Sequence, residues 1–158
     1  MDALDLKLIC ASDTVLAKYF RGVFSRDNLP SKVVKYPSAF IVNTDISTGP
    51  GQHWVAVFFN KQKRCFYFDS YGGPPMNGLA NFTLDNSVSD VLYNTRWFQG
   101  AATATCGLYV IHFLYHAARG MLLEAITGWP FKHLAWSRNE ALIKKWARRM
   151  IAHSSGSI

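Results

Sequence analysis

Cysteine is scarce in this 158-residue chain: the three residues Cys10, Cys65 and Cys106 are odd in number, far apart and form no Cys-x-x-Cys pair. That excludes a disulfide framework, and it reads as reduced thiols of an intracellular protein. Long apolar runs are missing too. The longest, after Cys106, is too short to cross a bilayer and contains His112 and His116, so no membrane partner is expected. The start, Met1-Asp2-Ala3-Leu4-Asp5-Leu6-Lys7, has no basic region ahead of an apolar core, so no signal peptide and no secretion are expected. Repeats, low-complexity tracts and interior linkers are also absent. With 49% hydrophobic and 15% aromatic content, residues 1–158 are expected to form one domain around one core. Acidic residues are few, 10 against 17 Lys and Arg, for a net charge of +7. His112 and His116 stand four apart, as two metal ligands on one helix face would, but no His-Glu-x-x-His accompanies them. They are expected to be buried or boundary histidines, with no metal.

What is present is an ordered set: His53-Trp54, Asp69, Gln99, Cys106-Gly107. A cysteine nucleophile needs a base for its proton, a carboxylate to hold that base and a donor for the developing oxyanion. His53 opens the strand-like run to Asn60, after the flexible Gly49-Pro50-Gly51. Asp69 ends the next run, Arg64 to Asp69, and the link Lys61-Gln62-Lys63 predicts an antiparallel hairpin that sets His53 beside Asp69. Cys106 precedes a helix-like stretch, Gly107 to Ala118, whose N-terminus would favour a thiolate and an oxyanion. Gln99 lies before a Gly-Ala-Ala loop that would fold its amide toward the same place. Each residue alone has a plainer reading: a polar group at a strand end, the start of a turn, a buried small thiol. Their coincidence favours the catalytic one. Cys10 and Cys65 read as packing residues.

In this order the residues resemble adenain, the adenovirus maturation endopeptidase, and the related Ulp1-like cysteine proteases. Tyr19-Phe20-Arg21-Gly22, Ala39 to Thr44, Gly51-Gln52-His53-Trp54, Cys65 to Gly72, Gln99-Gly100 and Ala104 to Leu108 look like successive landmarks of that family. The resemblance implies an α+β fold with a mixed sheet packed against the helix that carries the nucleophile. It implies Cys106 as nucleophile, His53 as general base and acid, Asp69 as the group orienting His53, Gln99 with the Cys106 N–H as oxyanion donors, and Trp54 as a cleft wall beside the imidazole. It further implies cleavage of viral capsid and core precursor proteins at Gly-containing sites during virion maturation, in the virion and the host nucleus or another assembly site. Adenain has Glu where Asp69 stands. It is also activated by a viral peptide, disulfide-linked through a cysteine between the acid and the Gln. This chain has none there, so any peptide activator is expected to bind noncovalently.

Ser137-Arg138-Asn139-Glu140 resembles a capping box, and the segment to Met150 reads as an amphipathic helix. Ile143, Trp146, Ala147 and Met150 would face the core, and Lys144, Lys145, Arg148 and Arg149 would face outward. That basic face, with the family's use of DNA as a cofactor, implies nonspecific DNA binding. The chemistry itself calls for no cofactor, and a monomer is expected. The coarse architecture is a helical segment through about Phe24, a strand near Phe40, the hairpin, a strand from Tyr93 to Phe98, the Cys106 helix and the basic helix. Residues Pro74 to Asp90 are expected to rim the substrate groove. Two other functions fit the same residues: a protease that removes a ubiquitin-like modifier after Gly-Gly, and an inactive DNA-binding structural protein.

Overall fold

A computed structural model of the chain describes residues 1–49, 53–100, 103–128 and 130–155. The Pro50-Gly51-Gln52 approach to His53 and the Ala101-Ala102 part of the loop after Gln99 lie outside the described residues.

The central runs are apolar at nearly every position, the pattern of strands covered on both faces. They form a five-stranded mixed sheet of β1 (Phe20–Ser25), β2 (Ser38–Asn43), β3 (Trp54–Phe59), β4 (Cys65–Phe68) and β5 (Leu92–Tyr93), in that spatial order. The outer pairs β1–β2 and β4–β5 are parallel, and β2–β3 and β3–β4 are antiparallel. Alternation sorts the side chains. Ala39, Ile41, Ala56, Phe58, Phe66 and Phe68 join one core, and Phe40, Val42, Val55, Val57, Phe59 and Tyr67 join the other.

On the first face lies α3 (Cys106–Ala118), with Tyr109, Val110, Ile111, Phe113, Leu114 and Ala117 buried. Phe113 stacks on Phe68 with ring centroids 5.1 Å apart. The helices α1 (Ala3–Ser12), α4 (Leu123–Gly128) and α5 (Trp136–Ser155) supply buried residues to the same core: Leu6 and Cys10, Leu123 and Ile126, Ile143 and Met150. On the other face α2 (Gly78–Asp85) buries Leu79 and Phe82, the latter edge-on to Phe40 at 5.3 Å. The fold is the α+β arrangement expected, a mixed sheet against the helix that begins at Cys106.

Four local expectations are corrected. The N-terminal helix stops at Ser12, where Asp13 caps a short 3-10 turn through the Leu16 N–H at 2.9 Å. Phe20 to Ser25 is a strand because Gly22, at φ +137°, bulges and lets it pair with β2. The strand expected to reach Phe98 keeps only Leu92 and Tyr93 in the ladder, since the chain from Asn94 onward turns its bonds to the Asp69–Ser70 turn. Residues 74–90 hold α2, which packs on the face away from α3 rather than serving as a groove rim. Finally, α5 starts at Trp136, so Ser137 sits inside its first turn instead of capping it. There Asn139, fully buried, ties the helix start to Lys132 and the Phe98 carbonyl.

Candidate active site

The hairpin does what its length dictates. The register pairs Ala56 with Phe68, so continuing the ladder sets His53 and Trp54 opposite the residues just after β4. There the chain turns sharply. The Gly72 N–H returns to the Asp69 carbonyl at 2.8 Å, and the Tyr71 N–H bonds the Asp69 side chain at 2.9 Å. This turn presents two groups to His53. Oδ1 of Asp69 lies 2.7 Å from Nε2 of the imidazole, and the Tyr71 ring stacks on the imidazole with centroids 4.3 Å apart.

With Nε2 engaged by Asp69, Nδ1 is the ring nitrogen left for the Cys106 thiol, which lies close enough to His53 that each group shifts the other's pKa. Burial alone would pull the His53 pKa down, but the hydrogen bonds to Asp69 and Cys106 and their charges carry it up to about 9. Burial likewise would raise the Cys106 thiol, yet His53 and the backbone N–H groups of Trp54 and Gly107 hold it below its ordinary value. Both shifts run in the direction that favours a thiolate beside an imidazolium at the first turn of α3. The other thiols are the opposite case: burial pushes Cys10 up to about 12 and Cys65 higher still.

Gln99 is 1% exposed. Its Oε1 accepts from Ser70 Oγ at 2.5 Å, and Nε2 donates to the Thr103 carbonyl at 2.9 Å, which commits one of the two amide hydrogens. The amide is thereby fixed between the Asp69–Ser70 turn and the approach to Cys106. Thr105, the residue before Cys106, donates to Glu140 of α5 at 2.8 Å, so α5 braces the entry of Cys106 to its helix.

Sequence reading placed Trp54 beside the imidazole, but the ring stacked there is that of Tyr71. The Trp54 side chain is half-buried, and its indole Nε1 donates to the Met1 carbonyl at 3.3 Å, toward the start of α1. Sequence reading missed Tyr71, Ser70 and Asn94, whose side chain holds the Asp69 peptide. The available signal was that Ser70 and Tyr71 directly follow Asp69 within the landmark run Cys65 to Gly72.

Lys144, Lys145, Arg148 and Arg149 are exposed along α5, and Lys144 pairs with Glu140 at 3.5 Å. His112 is buried and His116 half-buried against Trp146. Among the described residues no group of His, Cys, Asp and Glu forms a metal site, and no helix is long and apolar enough to cross a membrane.

No family model matches the chain. It is similar to "Cysteine protease S273R" of African swine fever virus, 39% identical over 66 residues that cover 38% of this chain and 24% of that protein. It is also similar to "Protease" of bovine adenovirus B serotype 3, 27% identical over 130 residues, covering 73% of this chain and 55% of that one. The chain therefore spans about a quarter of the first relative's length and about half of the second's. Among solved structures, ChlaDub1 from Chlamydia trachomatis shares the fold over 96% of this chain and 78% of its own, with TM-score 0.53 and 15% identity. In sequence, then, the chain is similar to two viral proteases over part of their length, and it shares its fold with ChlaDub1.

Proposed function

We propose that this chain is a cysteine endopeptidase, and that the observation carrying the reading is the His53 imidazole held between the Asp69 carboxylate and the Cys106 thiol. Cys106 Sγ attacks the scissile carbonyl carbon, and the carbonyl π electrons move onto oxygen. The Cys106 backbone N–H and the second amide hydrogen of Gln99 receive that oxyanion. Collapse breaks the C–N bond as His53 gives its proton to the leaving amine, leaving a thioester on Cys106. Water, deprotonated by His53, adds to the thioester. The resulting intermediate expels the thiolate, releases the carboxylic acid and restores the pair.

The substrates on this reading are virion precursor proteins cut at Gly-containing sites, within the virion or its assembly site. The similarity to two viral proteases supports that class. The exposed cations of α5 take up nonspecific DNA, and a peptide activator, where one acts, binds noncovalently because Cys10 and Cys65 are buried. The enzyme works as a monomer.

The test is a panel of Gly-containing peptides and a ubiquitin-like fusion, each incubated with wild type and Cys106→Ala, with and without DNA. Peptide cleavage lost in Cys106→Ala and raised by DNA supports the maturation protease. Cleavage confined to the folded fusion makes the chain a deconjugating enzyme, and no Cys106-dependent cleavage under any condition refutes both.

A further inference from the structure

Asn94 is 5% exposed and stands one residue beyond β5, where the parallel ladder with β4 ends at Tyr67 and Tyr93. Its side chain continues the pairing that the main chain gives up. Oδ1 accepts the Asp69 N–H at 3.1 Å, and Nδ2 donates to the Asp69 carbonyl at 2.7 Å and the Arg96 carbonyl at 3.2 Å. The Asn94 carbonyl in turn accepts the Gly73 N–H at 2.9 Å. The turn that carries the acid is thus pinned at both ends by one residue. It also seats tightly: a β-carbon at Gly72 would lie 2.8 Å from the Thr95 carbonyl oxygen.

We propose that Asn94 is a positioning residue of the active site, its amide fixing the Asp69 backbone so that the carboxylate meets Nε2 of His53. This rests on the protease reading above. The job needs an acceptor and two donors on one short side chain, which Asn has while Asp, Ser and Leu do not. Without it the half-buried Asp69 N–H loses its partner and the Asp69 carbonyl keeps only the Gly72 N–H, and the turn is free to shift by the few tenths of an ångström that a 2.7 Å contact does not tolerate. The titratable groups facing His53 are Asp69, Cys106 and Tyr71. Of these, Asp69 favours the imidazolium in both protonation states of the thiol. Its loosening therefore moves the alkaline limb of the pH–rate profile and leaves the acid limb, set by Cys106, in place.

The experiment measures kcat, KM and the pH dependence of kcat/KM on a cleaved Gly-containing peptide, together with urea unfolding, for wild type, Asn94→Ala and Asn86→Ala. Asn86 is the matched control. It is similarly buried, and its side chain accepts the Val33 N–H and donates to the Phe82 carbonyl, both at 2.9 Å, on the far face of the sheet. Asn94→Ala is expected to lower kcat about tenfold with KM within about twofold, and to bring the alkaline limb down by about one pH unit. Asn86→Ala is expected to lower the urea midpoint without moving either limb. Asn94→Ser gives the same readout should Asn94→Ala not fold. An alkaline limb and kcat unchanged in the Asn94 variants of a cleaving wild type would overturn the proposal alone. So would an equal shift in Asn86→Ala. A wild type with no Cys106-dependent cleavage would overturn the protease reading with it.

Discussion

The Tyr71 ring lies almost parallel to the His53 imidazole, 15° between planes, while the Tyr71 N–H holds the Asp69 carboxylate that bonds the same imidazole. One residue therefore acts on the base through its face and through its acid. A stacked ring favours the imidazolium over the neutral form by the attraction of a cation to a π face. Tyr71→Leu is expected to lower kcat/KM about threefold to tenfold, and Tyr71→Phe to stay within about twofold. Steady-state rates on a cleaved peptide decide it.

The activity profile should be bell-shaped. Cys106 must be ionised and His53 protonated, so the acid limb lies below the ordinary thiol value and the alkaline limb near 9. A rate that only rises through the ordinary range of a free thiol would mean that the pair does not form. Steady-state kinetics across pH checks it.

Gly72, at φ +79°, closes the turn of Asp69 and packs against the backbone of Thr95 and Arg96. Gly72→Ala is expected to cost about 1–3 kcal/mol in urea unfolding. Activity should fall with it, because the strain is relieved by moving the acid.

His112 predicts an acid weakness. Burial, with His116 adding to it, holds the His112 pKa down to about 3. The stability it supports is therefore present above its unfolded value near 6.5, and is lost as the pH falls toward 3. By pH 5 that is about 2 kcal/mol. His112→Leu should flatten the fall in Tm between pH 7 and 5.

The cations of α5 predict salt-sensitive binding. Lys145→Gln combined with Arg148→Gln is expected to reduce the slope of log K against log salt for duplex DNA by about 2. An unchanged slope in a titration by fluorescence anisotropy would place the DNA elsewhere.

Much of this site could be read from the chain because its logic is local. The link between Phe59 and Cys65 fixes a hairpin register, and that register brings His53 to Asp69. A Cys-Gly pair opening an apolar run marks a helix start. What escaped was set by distant packing. Phe20 to Ser25 looks helical beside α1 until β2 offers it partners 18 or 19 residues away. Asn94 looks like strand or turn until the Asp69 peptide is seen in its grasp. Ser137 and Glu140 have capping-box spacing, but Glu140 is drawn to Thr105, which no local pattern reports.

The most direct test of the account is cleavage of one Gly-containing peptide by wild type, Cys106→Ala, His53→Ala and Asp69→Asn under identical conditions. The geometry predicts turnover by wild type, background rates for Cys106→Ala and His53→Ala, and a loss of about a hundredfold or more for Asp69→Asn. Cleavage by Cys106→Ala at the wild-type rate would contradict it.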